Sequence, residues 1–256
     1  MIFCTMYKRL KRLNKSIKDR QLFADRLLFS PSFTLIEVIF VIIVIGILAA
    51  MVLPRFQKND VVDAAHQILS HIRYTQHLAI IDDKFNPTKS DWYKELWQIR
   101  FFKKKKASSD GSTAKWGYAI FSDKNSGSGY DGNPNATTGE VAKDPLTGKL
   151  ISGGFTINYT DKRTLKQAAI EETYKIVDVR FSPSCSYRGS KRIVFDNQGR
   201  PLIGDPQSYI SAYTQSKILQ QQCEITFCFY DNSCKANFKI AIEPETGFSY
   251  ISSMSF

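Results

Sequence analysis

The sequence predicts an α+β protein: a long N-terminal helix, half apolar and half amphipathic, packed on a C-terminal antiparallel β-sheet domain. Three observations predict it. Residues 33–53 form an apolar run of 21 residues carrying one charge, Glu37. Apolar residues then recur at helical spacing to Lys84. The remaining roughly 170 residues, enough for one domain with its own core, read as short strands divided by turn residues.

The apolar run comes first. At about 1.5 Å per residue it reaches about 32 Å, enough to cross a hydrocarbon core of about 30 Å, so residues 33–54 are expected to span a membrane. A carboxylate in lipid costs about 2.5 to 3.5 kcal/mol at the centre of a span and less near its end. Glu37 therefore either reaches the interface or needs a partner. Of 35 Lys and Arg and 24 Asp and Glu, residues 1–32 hold eight and two. That basic flank keeps the N-terminal side in the cytoplasm and puts the rest in the periplasm or exterior. Within it Leu10, Leu13, Ile17, Phe23 and Leu27 recur between basic residues, the pattern of a helix lying on a membrane surface. An ordinary secretory signal fits poorly, because the run is too long and no small-residue cleavage site follows. Met6 offers a second candidate start.

Beyond Pro54 the chemistry changes and the period does not. Val61, Ala65, Ile68, Ile72, Thr75 and Ala79 mark one buried face of an amphipathic helix, flanked by Val62, Leu69, Leu78 and Ile81. Gly46 and Pro54 are the expected points of weakening or bending.

Strands are expected at residues 92–102, 116–122, 155–159, 174–181, 192–196, 225–230, 237–242 and 248–251. A short helix is expected at 165–172, and 123–154, rich in Gly, Ser, Asn and Thr, reads as a long exposed loop. Cys185, Cys223, Cys228 and Cys234 would stand on the oxidising side and form two disulfides, with free buried thiols as the alternative. Of three connectivities, the turn at 231–233 favours Cys228 with Cys234, leaving Cys185 with Cys223.

Catalytic patterns are missing from the sequence, and an enzyme is not expected. His66, His71 and His77 all fall on the amphipathic helix, and His66 and His77 stand about 16 Å apart along it, too far to share a metal. Asp131, Asn133, Asn135, Glu140 and Asp144 supply oxygens for calcium, but their spacing departs from an EF-hand, and a solvated loop is the favoured reading. No other cofactor is implied. Lys103, Lys104, Lys105 and Lys106, beside Phe101 and Phe102, can contact a phosphate backbone; a solvated hairpin tip is the competing and favoured reading.

Phe33-Thr34-Leu35-Ile36-Glu37-Val38, with Gly46 and Pro54, resembles the N-terminus of type IV pilin-like precursors, including the pseudopilins of type II secretion. The segments RIVFDNQGRPL (192–202) and FKIAIEPETGFSYI (238–251) resemble strand-turn pairs of H-type minor pseudopilins and their FimT-like relatives. The resemblance implies a pilin-like fold and a division into a leader (1–32), a membrane and filament-core helix (33–54), an amphipathic half (55–84) and a β-rich domain (85–256). It implies cleavage between Ser32 and Phe33 by a prepilin peptidase, although the family usually has Gly where Ser32 stands, and N-methylation of Phe33. Glu37 would pair with the N-terminal amine of a neighbouring subunit. The partners would be other pilin or pseudopilin subunits, an assembly ATPase and an inner-membrane platform, with the C-terminal domain periplasmic and protein secretion across the outer membrane as the task. Two alternatives stand beside it: a minor pilin for DNA uptake, since some pilus relatives take up DNA, and a membrane-tethered periplasmic binding domain.

Overall fold

The structure, a computed structural model, describes residues 34–52, 60–104, 114–125 and 129–256. The leader, Ser32, Phe33, Pro54, Lys105 and Lys106 lie outside the described residues, as do the expected cut and the expected bend at Pro54. The chain divides into two units, before and after the Gln57/Lys58 bond.

The first unit contributes helix α1, Leu35–Val52, which runs without interruption through Gly46. Isoleucine, valine and leucine supply most of it, and residues 35–49 are all exposed. Its 18 residues rise about 27 Å, short of a hydrocarbon core of about 30 Å. Among the described residues no helix is long and apolar enough to cross a membrane, and both ends of the expected 33–54 span fall outside them.

The second unit is built on α2, Asp60–Ile81. Two acids, Asp60 and Asp63, sit in its first turn, where the helix dipole favours negative charge. Val61, Ala65, Ile68, Leu69, Ile72, Thr75 and Ala79 are buried as the period requires, and Ala64 and His71 join them. This stripe faces two four-stranded antiparallel sheets. The first has the order β2-β1-β4-β5, with β1 Trp97–Lys104, β2 Lys115–Ser122, β4 Arg192–Phe195 and β5 Pro201–Ile203. The second has the order β3-β6-β7-β8, with β3 Ile176–Phe181, β6 Cys223–Phe229, β7 Asn237–Ile242 and β8 Ser249–Ser255. Phe101 joins the sheets, its ring 5.6 Å from Tyr118, 6.0 Å from Phe181 and 5.4 Å from Phe227. The described molecule is thus α+β, with α2 and both sheets sharing one core.

Several expectations need correction. Residues 92–95 form a 3₁₀ turn instead of the start of a strand, because Trp92 packs edge-on against Phe85 and Tyr93. Residues 155–159 form no strand; Gly153 presses its backbone against Gly117 and Ala168, and Phe155 turns its ring toward Phe102. The expected helix at 165–172 is a 3₁₀ turn, Lys166–Ala168, and a short helix α3, Ile170–Tyr174, which ends where Lys175 takes φ +63°. Residues 123–154 are not one exposed loop. They cover the outer edge of β2 through bridges Phe121 to Val141 and Ala119 to Ser152, and Glu140, Val141, Ala142 and Ile151 are buried. Strand β5 was not expected, being three residues long and opened by a proline.

Candidate functional site

Glu37 stands in the first turn of α1. The Thr34 hydroxyl accepts from the Glu37 N–H at 3.3 Å, and the Thr34 carbonyl accepts from the same N–H at 3.0 Å and from Val38 at 3.2 Å. Thr with Glu three residues later is the capping-box spacing, and the helix N-terminus favours a carboxylate by about 0.3 to 1 kcal/mol. That contribution is several-fold below the cost of placing the charge at the centre of a lipid span. Among the described residues the Glu37 carboxylate has no ion-pair or hydrogen-bond partner, and the side chain is exposed.

The two hairpins that the sequence singles out meet in space. Gln76 of α2 donates through Nε2 to the Gly199 carbonyl at 2.9 Å and to the Thr246 carbonyl at 2.8 Å. One turn earlier, Arg73 donates to the Ser249 carbonyl at 3.1 and 2.6 Å and lies over the Phe248 ring. The amphipathic helix thus clasps both turns, neither of which predicts the other from sequence spacing.

A groove of about 540 Å³ lies along the C-terminal half of β1, bounded by Trp116, Phe155 and the turn at 187–190. Six cations line it, Arg100, Lys103, Lys104, Arg188, Lys191 and Arg192, against one acid, Asp205. Arg100 and Arg192 are direct partners across the β1–β4 ladder, and both donate to the Gly132 carbonyl, at 3.0 and 3.2 Å. Arg192 also donates to Gln98 at 2.7 Å and pairs with Asp205 at 2.9 Å. Burial lowers its pKa to about 10, Asp205 opposes the shift, and Arg100 adds to it. Burial, and then Arg100, lower that of Lys104. Lys104 lies 3.8 Å above the Phe155 ring and donates to the Phe155 carbonyl at 2.7 Å. Of the four predicted lysines, the described pair Lys103 and Lys104 belong to this groove. Arg188, Lys191 and Arg192 were not singled out; the only signal was the basic, glycine-containing string Tyr-Arg-Gly-Ser-Lys-Arg at 187–192.

The predicted calcium oxygens are each engaged by neighbouring donors. Asp131 accepts from Asn133 N–H, Asn133 from Arg100, Asn135 from Thr137, Glu140 from Asn135 N–H and Asp144 from Thr147. Among the described residues no three His, Cys, Asp or Glu are grouped to hold a metal. The cysteines form Cys185–Cys223 and Cys228–Cys234, with Cα atoms 5.3 and 4.6 Å apart. The two cysteines of the second disulfide do not face each other directly across the hairpin: the ladder partner of Cys228 is Asn237, and Cys234 sits in the turn at φ +60°.

His71 is the one buried histidine of the three. Its Nδ1 lies 2.6 Å from the Tyr118 hydroxyl and its Nε2 lies 2.9 Å from the Gln67 amide nitrogen. Burial lowers its pKa to about 4, with Asp144 opposing the shift.

Comparison with protein-family models, with curated proteins and with solved structures gave no match.

Proposed function

We propose that this chain is a minor pseudopilin, a subunit of a type II secretion or type IV pilus-like filament with a pilin-like fold. The observation that carries the reading is the position of Glu37: one carboxylate, without a partner among the described residues, in the first turn of an otherwise apolar helix, within the string Phe33-Thr-Leu-Ile-Glu37. A helix end gives back only part of what such a charge costs in lipid, so a neighbouring subunit's amine is the partner that makes the placement favourable. A prepilin peptidase would cut between Ser32 and Phe33. An assembly ATPase and inner-membrane platform would then draw the subunit from the bilayer into the filament, where the exposed apolar side chains of α1 exchange lipid for neighbouring helices. The periplasmic domain rides on the filament and supports secretion.

The Thr34 hydroxyl on the Glu37 N–H, with the carboxylate in the first turn of the helix, supports a second reading, a membrane-tethered periplasmic binding domain, because there Glu37 serves its own helix through the dipole. Protein from native membranes separates the two. The filament reading expects a mature N-terminus at methylated Phe33, and expects Glu37→Ala to abolish assembly while the melting temperature of the soluble portion stays unchanged. Retention of residues 1–32, or normal assembly by Glu37→Ala, would sink it.

A further inference from the structure

We propose that the groove along β1 binds a compact ligand carrying several phosphate groups. The proposal is independent of the filament reading. The described residues include 23 basic and 21 acidic side chains; six of the former and one of the latter line the groove, leaving 17 against 20 elsewhere among them. The excess charge is therefore gathered in one concavity and not spread over a face, as a long polyanion would require.

Two features of the cluster carry a cost for the fold. Arg100 stands directly opposite Arg192, an arrangement that costs stability when both charges are alike. Arg188 adopts φ +50° beside Gly189 at φ +74°, in a two-residue turn where Asn and Gly are the residues at ease. A guanidinium held there at the groove's rim, with the Tyr187 ring as its one polar or aromatic contact among the described residues, points to a ligand that offsets the backbone strain.

The aromatic walls refine the ligand class. Arg100 and Lys104 lie over Phe155, Lys191 over Trp116, and Arg188 and Lys217 over Tyr187. Rings occupied by the protein's own cations hold those cations in place and offer no platform for a nucleobase. Phosphate fits better than carboxylate, because each phosphoryl group brings up to about two negative charges, and a ligand the size of the groove must offset an excess of five.

The test is calorimetric titration of the full chain, in uncharged detergent at low salt, with inorganic pyrophosphate as the probe. Saturable binding is expected, weakened about tenfold by Lys103→Ala and by Arg188→Gly, the loss of one charge-assisted contact each. Arg188→Gly should leave the melting temperature unchanged or raise it, since Gly takes the turn conformation freely, so its loss of affinity cannot come from misfolding. No binding, or affinity unchanged in both variants, overturns the proposal. So does an oligonucleotide whose affinity grows with length, or a Glu-rich peptide that displaces pyrophosphate.

Discussion

Helix α1 and the unit built on α2 handle charge in opposite ways. In α1 every side chain from 35 to 49 is exposed, and Glu37 has no partner among the described residues. In the second unit even Arg192, only 4% exposed, is held by Asp205, Gln98 and the Gly132 carbonyl. One region is stabilised from within; in the proposed filament the other would be stabilised by neighbouring subunits. The contrast can be broken in either direction: damage to the body's internal props should cost folding free energy, and damage to α1 should cost assembly alone.

The largest expected loss within the body is that of a disulfide. Cys185–Cys223 closes a separation of 38 residues and Cys228–Cys234 one of six. Loop-closure entropy then assigns about 4 kcal/mol to the first and about 2 kcal/mol to the second. Urea unfolding of Cys185→Ser/Cys223→Ser should lose roughly twice as much as Cys228→Ser/Cys234→Ser. Equal losses would mean that native-state contacts, and not chain entropy, set both.

The features legible in the sequence were those whose signal is local. The stripe from Val61 to Ala79 repeats at helical spacing, and Asn237–Ile242 alternates, so both elements appear where expected. The Cys228–Cys234 pair followed from a turn only a few residues long. What failed depended on distant contacts. Residues 123–154 look solvated by composition, yet Val141, Ala142 and Ile151 are buried because the edge of β2 needs covering. The groove needs β1 and the 187–192 string together, and only their common sheet joins Arg100 to Arg192. His71 meets Tyr118 across 47 residues, so sequence placed it on the helix without finding its partner.

That histidine gives the next effect, about 3 kcal/mol. Its folded pKa is about 4 against an ordinary value of 6.5, because burial disfavours the imidazolium. The unfolded chain therefore takes up the proton first, and stability present above pH 6.5 is lost as pH falls toward 4. Asp123 acts with the opposite sign in the same interval. Burial raises its carboxyl to about 6, while the Gly132 N–H opposes the shift. The protonated form is favoured in the fold, so its contribution returns as pH falls from about 6 to 4. Near-cancellation is expected in the wild type. Asp123→Asn should unmask the loss, its unfolding free energy dropping by about 3 kcal/mol between pH 6.5 and 4, and His71→Gln should instead gain stability over that interval. Parallel pH profiles for the two variants would remove both assignments.

The smallest of these effects tests whether the body is one internally locked piece. Gly247 has φ +65°, and a Cβ there would run into the Gly199 carbonyl and the Gln76 amide. Gly247→Ala should cost about 2 kcal/mol, combining left-handed backbone strain with displacement of the Gln76 bonds. Gln76→Ala removes one of the two obstructing groups along with both turn contacts. In that background Gly247→Ala should therefore cost measurably less, a coupling that a double-mutant cycle in urea resolves. Strict additivity would mean that the two hairpin turns are neighbours without being joined through α2. On the proposed filament reading, assembly through Glu37 should be unchanged in all of these variants wherever the body stays folded, because there α1 would draw its stabilisation from neighbouring subunits.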